Sequence, residues 1–154
     1  TGDYVLDVSG LPGDLYVKAA RYGPADALEE PITFQPGAPA LPLQVLVAAD
    51  GGRLKVSVFN TQRQLHEGAK VVLVPDSNRR HRRDQYRVVQ TGEGGTASFR
   101  GVPPGQYKAF AWEELEENAY LNSDYLRGYE NLGLSVVVKP GENPPISIRL
   151  IPRE

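Results

Sequence analysis

Three observations predict an all-β chain: an antiparallel Greek-key β-sandwich of about seven strands, preceded by the C-terminal part of a second, similar sandwich. The first is an internal repeat. Gly10-Leu11-Pro12-Gly13-Asp14-Leu15-Tyr16-Val17-Lys18-Ala19 returns as Gly101-Val102-Pro103-Pro104-Gly105-Gln106-Tyr107-Lys108-Ala109, with glycines and tyrosines both 91 residues apart (101 − 10 and 107 − 16). The second is an echo behind each copy: Phe34-Gln35-Pro36-Gly37 ahead of Leu43-Gln44-Val45, and Val138-Lys139-Pro140-Gly141 ahead of Ile146-Ser147-Ile148. Self-similarity at a fixed spacing marks a repeated structural unit. The third is punctuation: 16 glycines and 13 prolines break the chain into short runs, favouring many short strands over long helices. The first copy has almost nothing in front of it, whereas the second follows a full set of candidate strands. Residues 1–48 therefore read as the tail of one sandwich and residues 49–154 as a whole one.

Taken in order, residues 3 to 9 read as a strand, Leu11-Pro12-Gly13-Asp14 as a turn, and Leu15 to Arg21 as the return strand of a hairpin. Ile32 to Gln35 is a short strand before a proline-rich connection. Leu43 to Ala48 carries apolar residues on both faces, as a buried strand or an inter-domain seam does. Asp50-Gly51-Gly52 is the domain boundary. Arg53 to Val58 then alternates polar and apolar, the pattern of a half-buried strand. Lys70 to Val74, Tyr86 to Thr91, Thr96 to Arg100, Gln106 to Ala111, Ser135 to Lys139 and Ile146 to Leu150 complete the set, with Thr96–Arg100 and Gln106–Ala111 expected to form a hairpin.

The interval between the two echoes is longer in the second copy, 104 residues against 91, so about 13 extra residues (104 − 91) fall between Ala111 and Pro140. They belong to the acidic and aromatic stretch 113–129, where Asn122-Ser123-Asp124 leading into Tyr125 reads as a capped short helix. Insertions of this kind lie at the surface and often carry specific function.

Composition narrows the class without naming a task. Net charge is −2 and the charged fraction is 23%, which gives no global signal for nucleic acid. No apolar run approaches the roughly 18 residues of a membrane helix. Cysteine is absent, excluding disulfides and thiol chemistry. Methionine is absent too, so Thr1 is not a translation start and the chain is expected to be a processed product or a piece of something longer.

The stretch Thr91-Gly92-Glu93-Gly94-Gly95-Thr96-Ala97-Ser98-Phe99-Arg100-Gly101-Val102-Pro103-Pro104-Gly105-Gln106-Tyr107 resembles the hallmark of the carboxypeptidase regulatory-like family. These are transthyretin-like (prealbumin/Ig-like) β-sandwiches with a typical pattern Thr-Asp-x-x-Gly-x-Phe-x-Phe-x-Gly-Leu-Pro-Pro-Gly-x-Tyr. Gly51 to Val58 and Gly68 to Leu73 look like that family's opening strands. The resemblance covers residues 50–154 and, for its second half, residues 3–48; it departs at Gly92, where the family usually has aspartate. It implies a non-catalytic module of the kind found in tandem in exported bacterial proteins and beside some carboxypeptidases. In the motif itself, Gly101, Pro103, Pro104 and Gly105 shape a corner, Phe99 and Tyr107 face the core, and the tyrosine anchors the crossing through nearby backbone.

Two groups of side chains stand out as candidate contacts. Arg79, Arg80, Arg82 and Arg83 flank His81 in the most biased run of the chain, readable as a solvated loop, a loop paired with the acidic run 113–117 of the same or a neighbouring molecule, a protein contact, or an anion site. Trp112, Tyr120, Tyr125 and Tyr129 gather in the insertion, readable as a polysaccharide platform or as a seal over the sandwich. Catalytic motifs and metal-ligand spacings are lacking, so no enzyme activity and no cofactor are expected. The expectation is an extracytoplasmic structural or interaction module whose partners are other domains of its polypeptide or like chains. Carbohydrate binding and regulation of an exported enzyme are the alternatives.

Overall fold

The strict alternation of Arg53-Leu54-Lys55-Val56-Ser57-Val58 puts Leu54, Val56 and Val58 on one side of β6 (Gly52–Phe59), where all three are buried. This strand begins the larger part of the molecule. The computed structural model describes all 154 residues, Thr1–Glu154. Ahead of β6 come β1 (Gly2–Tyr4), β2 (Tyr16–Tyr22), β3 (Ala25–Asp26), β4 (Ile32–Phe34) and β5 (Leu43–Ala48). After it come β7 (Lys70–Pro75), β8 (Arg87–Gln90), β9 (Thr96–Val102), β10 (Gly105–Trp112), a short helix α1 (Ser123–Arg127), β11 (Leu134–Val138), β12 (Gly141–Glu142) and β13 (Ile146–Ile151).

Strands β9, β6 and β12 form one layer, and β8, β7, β10 and β11 the other. Their facing side chains, among them Leu54, Val56, Val71, Leu73, Phe99, Tyr107, Val136 and Ile148, make the largest core. The closing strand β13 joins the layers: Ile146–Arg149 pairs with β6, and Leu150–Ile151 pairs with β10. All of these β13 pairings are parallel, as is β12 on β6. The sandwich is therefore mixed, and the wholly antiparallel arrangement expected from the sequence is corrected. Parallel neighbours need a crossover of a dozen or more residues, and the long path from β10 through the insertion to β13 supplies it.

A second correction concerns the motif at Gly101–Tyr107. Strands β9 and β10 do not pair as a hairpin; β9 lies on β6, while β10 lies between β7 and β11. The chain crosses from one layer to the other at this point. Gly101 takes φ +63°, a conformation that an L side chain disfavours. Pro103 and Pro104 have no N–H to give a ladder. The Tyr107 hydroxyl donates to Pro103 O at 2.6 Å from a buried position, and burial pushes its phenol well above the ordinary value. Tyr107→Phe leaves that carbonyl without its donor and is expected to cost about 1–3 kcal/mol in urea unfolding. Unchanged stability would show that the corner holds without the bond.

Strand β7 explains itself once the insertion is placed. Val71 and Leu73 face the main core, while Val72 and Val74 face a second cluster with Phe110, Trp112, Leu126 and Ile151. The insertion folds across the outer face of the β7–β10 layer, so the continuous apolar run Val71–Val74 is buried on both sides. Within it, Asn122 Oδ1 accepts from Asp124 N at 2.9 Å and Tyr125 N at 3.4 Å, capping α1 as the sequence predicts.

Residues 1–48 depart furthest from expectation. Residues 3–9 do not hairpin with 15–21. Strand β1 stops at Tyr4 and pairs with β4, with Thr33 Oγ1 donating to Asp3 and the Tyr4 and Phe34 rings edge to face at 5.3 Å. Strand β2 pairs with β5 along most of its length and with β3 at its end. By sequence β2 corresponds to β10 and β4 to β11, yet β10 pairs with β11 while β2 takes β5 instead. In the larger unit the closing strand lies on β6, whereas in residues 1–48 β5 lies on β2. The core here is small: Val17, Ala20, Ala27 and Ile32 are buried, with Leu6, Val8, Leu11, Tyr22 and Leu28 around them.

Candidate interaction site

The two parts of the chain meet at a seam built from backbone and charge. Residues 13–15 lie against Gly51 and Gly101, and a methyl group on Gly51 would collide with Asp14 O. Gly51 N donates to that same carbonyl at 2.9 Å. The Asp14 carboxylate accepts from Arg100 Nε at 3.2 Å and Nη2 at 3.4 Å, with Arg53 Nε at 4.0 Å. The Arg100 hydrogen bond outweighs desolvation and holds the Asp14 carboxyl below its usual range. Farther along, Glu29 bonds His81 Nε2 at 2.7 Å and accepts from Arg82 Nη1 at 2.7 Å; these bonds lower its pKa, His81 contributing most. Two carboxylates of the first part thus grip four basic side chains of the second.

The arginine run is the second half of this clasp, and its partners differ from those expected. Arg82 also makes a bidentate bond to Asp84, at 2.8 and 2.9 Å, which raises its pKa above the ordinary guanidinium value. Arg80 ion-pairs with Glu130, which accepts from Lys108 as well. The Tyr86 hydroxyl donates to Arg80 O at 2.9 Å and ties the loop to the second core. The acidic run 113–117 is elsewhere: Glu113 accepts from Arg153 N and Glu114 pairs with the Arg153 side chain. Within one molecule, then, the two runs do not pair with each other. Sequence distance hid Glu29 and Glu130, 52 and 50 residues from their partners, and nothing local marks either as the partner of an arginine or histidine. Arg79 and Arg83 are exposed and without a carboxylate within ion-pair distance.

Arg87 lies just behind the run. Its guanidinium donates to the carbonyls of Asp84, Tyr86 and Gly101 at 2.6 to 3.0 Å, and burial lowers its pKa. It fastens the loop to the corner. A polar cavity of about 270 Å³ lies beside it, between Asp7–Val17 and Arg83–Arg87, with Arg100 and Gly101 closing one side.

The aromatic group is brought together, though not as an open platform. Trp112 is only 2% exposed; it stacks on Phe110 at 5.2 Å and meets Tyr129 edge to face at 5.7 Å. Tyr125 packs on both Trp112 and Tyr129, and Tyr120 packs on Tyr86. Burial pushes the Tyr125 phenol up to about 12. Trp112 is thus corrected as a ligand contact: its ring is spent on the second core, and no face of it is offered to a sugar.

A further surface lies on β5. It is an edge strand, with β2 on one side and nothing on the other. Leu43, Val45, Leu46 and Val47 are all exposed, on both faces of the strand. Eight of the thirteen large exposed apolar side chains fall in residues 1–48, so the apolar surface is concentrated at this end.

These elements define a mostly β protein with a sandwich body and no helix long and apolar enough to cross a membrane. No family model matches the chain, and no curated protein matches it in sequence. Among solved structures it is similar to the Bacillus anthracis TIE protein, at 18% identity over 70% of this chain and 19% of that one, with a TM-score of 0.40. It is also similar to BcpA, the major pilin subunit of Bacillus cereus, at 13% identity over 70% of this chain and 31% of that one, with a TM-score of 0.42. The group B streptococcus pilus 2b backbone protein is similar at 14% identity over 78% of this chain and 47% of that one, with a TM-score of 0.35. The chain spans less than half the length of each.

Proposed function

We propose that this chain is a non-catalytic structural module of an exported, multidomain protein, and that its task is to hold successive β-sandwich units in a fixed relative orientation. The observation that carries this reading is the clasp. Only Ala49, Asp50 and Gly51 separate β5 from β6, and the seam on either side is tied by backbone contact and by the Asp14 and Glu29 ion pairs. A connection so short and so tied transmits orientation, as a stalk or fibre unit requires, whereas a flexible tether needs a longer polar linker. The exported location and the assembly with neighbouring domains or like chains follow from the motif resemblance at Thr91–Tyr107 and are proposed on that basis.

Exposed ion pairs are individually weak, so the clasp depends on their number and on the glycine contacts. Its pH dependence has a definite sign. Asp14 and Glu29 have folded-state pKa values below their unfolded ones. Their contribution is therefore complete above the unfolded carboxylate range, near about 4, and is lost as pH falls through the lower folded values. Nitrogen-15 relaxation at neutral pH is expected to give one rotational correlation time for residues 1–48 and 49–154. In the double variant Asp14→Asn, Glu29→Gln, or in the native chain at acidic pH below that range, residues 1–48 are expected to reorient faster. A single correlation time under all three conditions would remove the clasp as the basis of the function.

A further inference from the structure

The polar cavity at the seam is walled by both parts of the chain, and its charges are unevenly matched. Arg83, Arg87 and Arg100 line it together with the carboxylates of Asp7 and Asp84 and the Ser9–Gly13 loop. Two of these charges are already committed: Asp84 is bidentate on Arg82, and Arg100 is held by Asp14. Arg83, Arg87 and Asp7 remain. Arg83 is exposed and has no carboxylate within ion-pair distance. Arg87 gives its hydrogen bonds to the neutral carbonyls of Asp84, Tyr86 and Gly101 and none to a carboxylate. A guanidinium carries five N–H groups in a fixed fork, so these three bonds leave about two of them without a protein acceptor. Burial outweighs the nearby Asp84 and lowers the Arg87 pKa, which marks a cation held in place without a full counter-charge. Asp7 is exposed and likewise has no ion-pair partner.

We infer that this cavity binds a small oxyanion, a phosphate or carboxylate group, held by Arg83 and Arg87 and bridging the two parts of the chain. The planar guanidinium fork matches the oxygens of either group and makes charge-assisted hydrogen bonds to them. The exposed Ser9 hydroxyl, in the wall contributed by the first part, is a further donor. At about 270 Å³ the cavity falls just below the roughly 300–1,000 Å³ of sites for drug-sized molecules, so it takes the anionic group itself. Asp7 opposes the anion and limits its affinity. Because the bound group touches both walls, its binding favours the closed seam by mass action. The inference adds a ligand to the proposed function and does not rest on the Asp14 and Glu29 bonds of the clasp.

The test titrates the nitrogen-15 labelled chain with sodium phosphate at neutral pH, against sodium chloride at the same ionic strength. Phosphate is expected to shift the amide signals of Ser9–Gly13 and Gly101 and the side-chain Nε–H signals of Arg83 and Arg87, all on one saturating curve. Chloride is expected to leave them in place. Arg83→Gln weakens phosphate binding by about ten- to a hundredfold, the effect of losing one hydrogen bond to a charged group. Asp7→Asn tightens it, because a like charge is removed from the wall. Both residues are exposed, so neither substitution disturbs the core. Arg79→Gln, at an exposed arginine outside the cavity, leaves binding unchanged. Sodium acetate in place of phosphate separates the two sources: saturation with both admits carboxylates, and saturation with phosphate alone assigns the site to phosphoryl groups. A melting temperature does not serve as the readout, since phosphate strengthens apolar burial in any protein. Equal responses to phosphate and chloride, or unsaturated shifts spread over all the arginines, would overturn the inference. So would native-like binding in Arg83→Gln, or weaker binding in Asp7→Asn. The clasp is judged separately: an Asp14→Asn, Glu29→Gln chain that still tumbles as one body removes the clasp while phosphate binding by the native chain stands.

Discussion

Trp112→Ala is expected to destabilise the protein by about 3–5 kcal/mol, the range for removing a large buried aromatic side chain. The cost is large because Trp112 is where the second core is assembled. Its ring contacts Phe110 from the same strand and Tyr125 and Tyr129 from the insertion, so truncation opens a cavity under three aromatic neighbours. Trp112→Phe is expected to cost much less. The indole nitrogen is buried without a hydrogen-bond partner, so phenylalanine removes an unsatisfied donor while retaining most of the apolar contact. Guanidinium unfolding followed by far-UV circular dichroism compares the two variants with the native chain. Because this is the only tryptophan in the chain, the native protein should show blue-shifted emission that moves red on unfolding. Equal losses for alanine and phenylalanine, or a native spectrum typical of exposed indole, would contradict this account of the second core.

Gly101→Ala is expected to cost about 2–5 kcal/mol, from two additive sources. At φ +63° a β-carbon is disfavoured by about 1–2 kcal/mol. It would also stand 2.7 Å from Leu15 O, and overpacking against backbone adds about 1–3 kcal/mol. The second source separates this glycine from an ordinary turn residue, because relief requires residues 13–15 to move away from the main sandwich. The variant should therefore lose stability and loosen the seam together, read as a lower denaturation midpoint and faster reorientation of residues 1–48. Gly13→Ala is the control. Gly13 also has positive φ, but a methyl group there meets nothing within 4 Å, so only the conformational part of the cost remains. Similar effects at both positions would mean that the Gly101–Leu15 contact carries no weight.

Most of the main sandwich was legible because its signals are local. The alternation in Arg53–Val58, the proline and glycine stops, and the cap at Asn122 each act within a few residues and place β6 and α1 where they are found. The tyrosine corner was readable for the same reason. The Gly101–Gly105 turn was misread as a hairpin because turn residues report a change of direction without saying whether the next strand stays in the same sheet. Trp112 was ambiguous for a related reason: an aromatic cluster looks the same in sequence whether it lies open or beneath an insertion. The charge clasp was illegible altogether, since Asp14 and Glu29 find their arginines only through the fold.

By itself, then, the sequence determined the mostly β class, the strand set of the larger part and the tyrosine that anchors its corner. These follow from backbone preferences and period-two burial, which operate over short stretches of chain. Tertiary structure alone decided the pairing partners. It set β13 parallel between two layers, turned β5 onto β2, buried Trp112 and joined the two parts through Glu29 and Asp14. Pairing is a competition between distant segments for the same edge, and its outcome depends on which neighbours are present. The repeat shows this most clearly: two related closing strands, one buried beside β6 and one left at an open edge, differ less in their own residues than in what lies next to them.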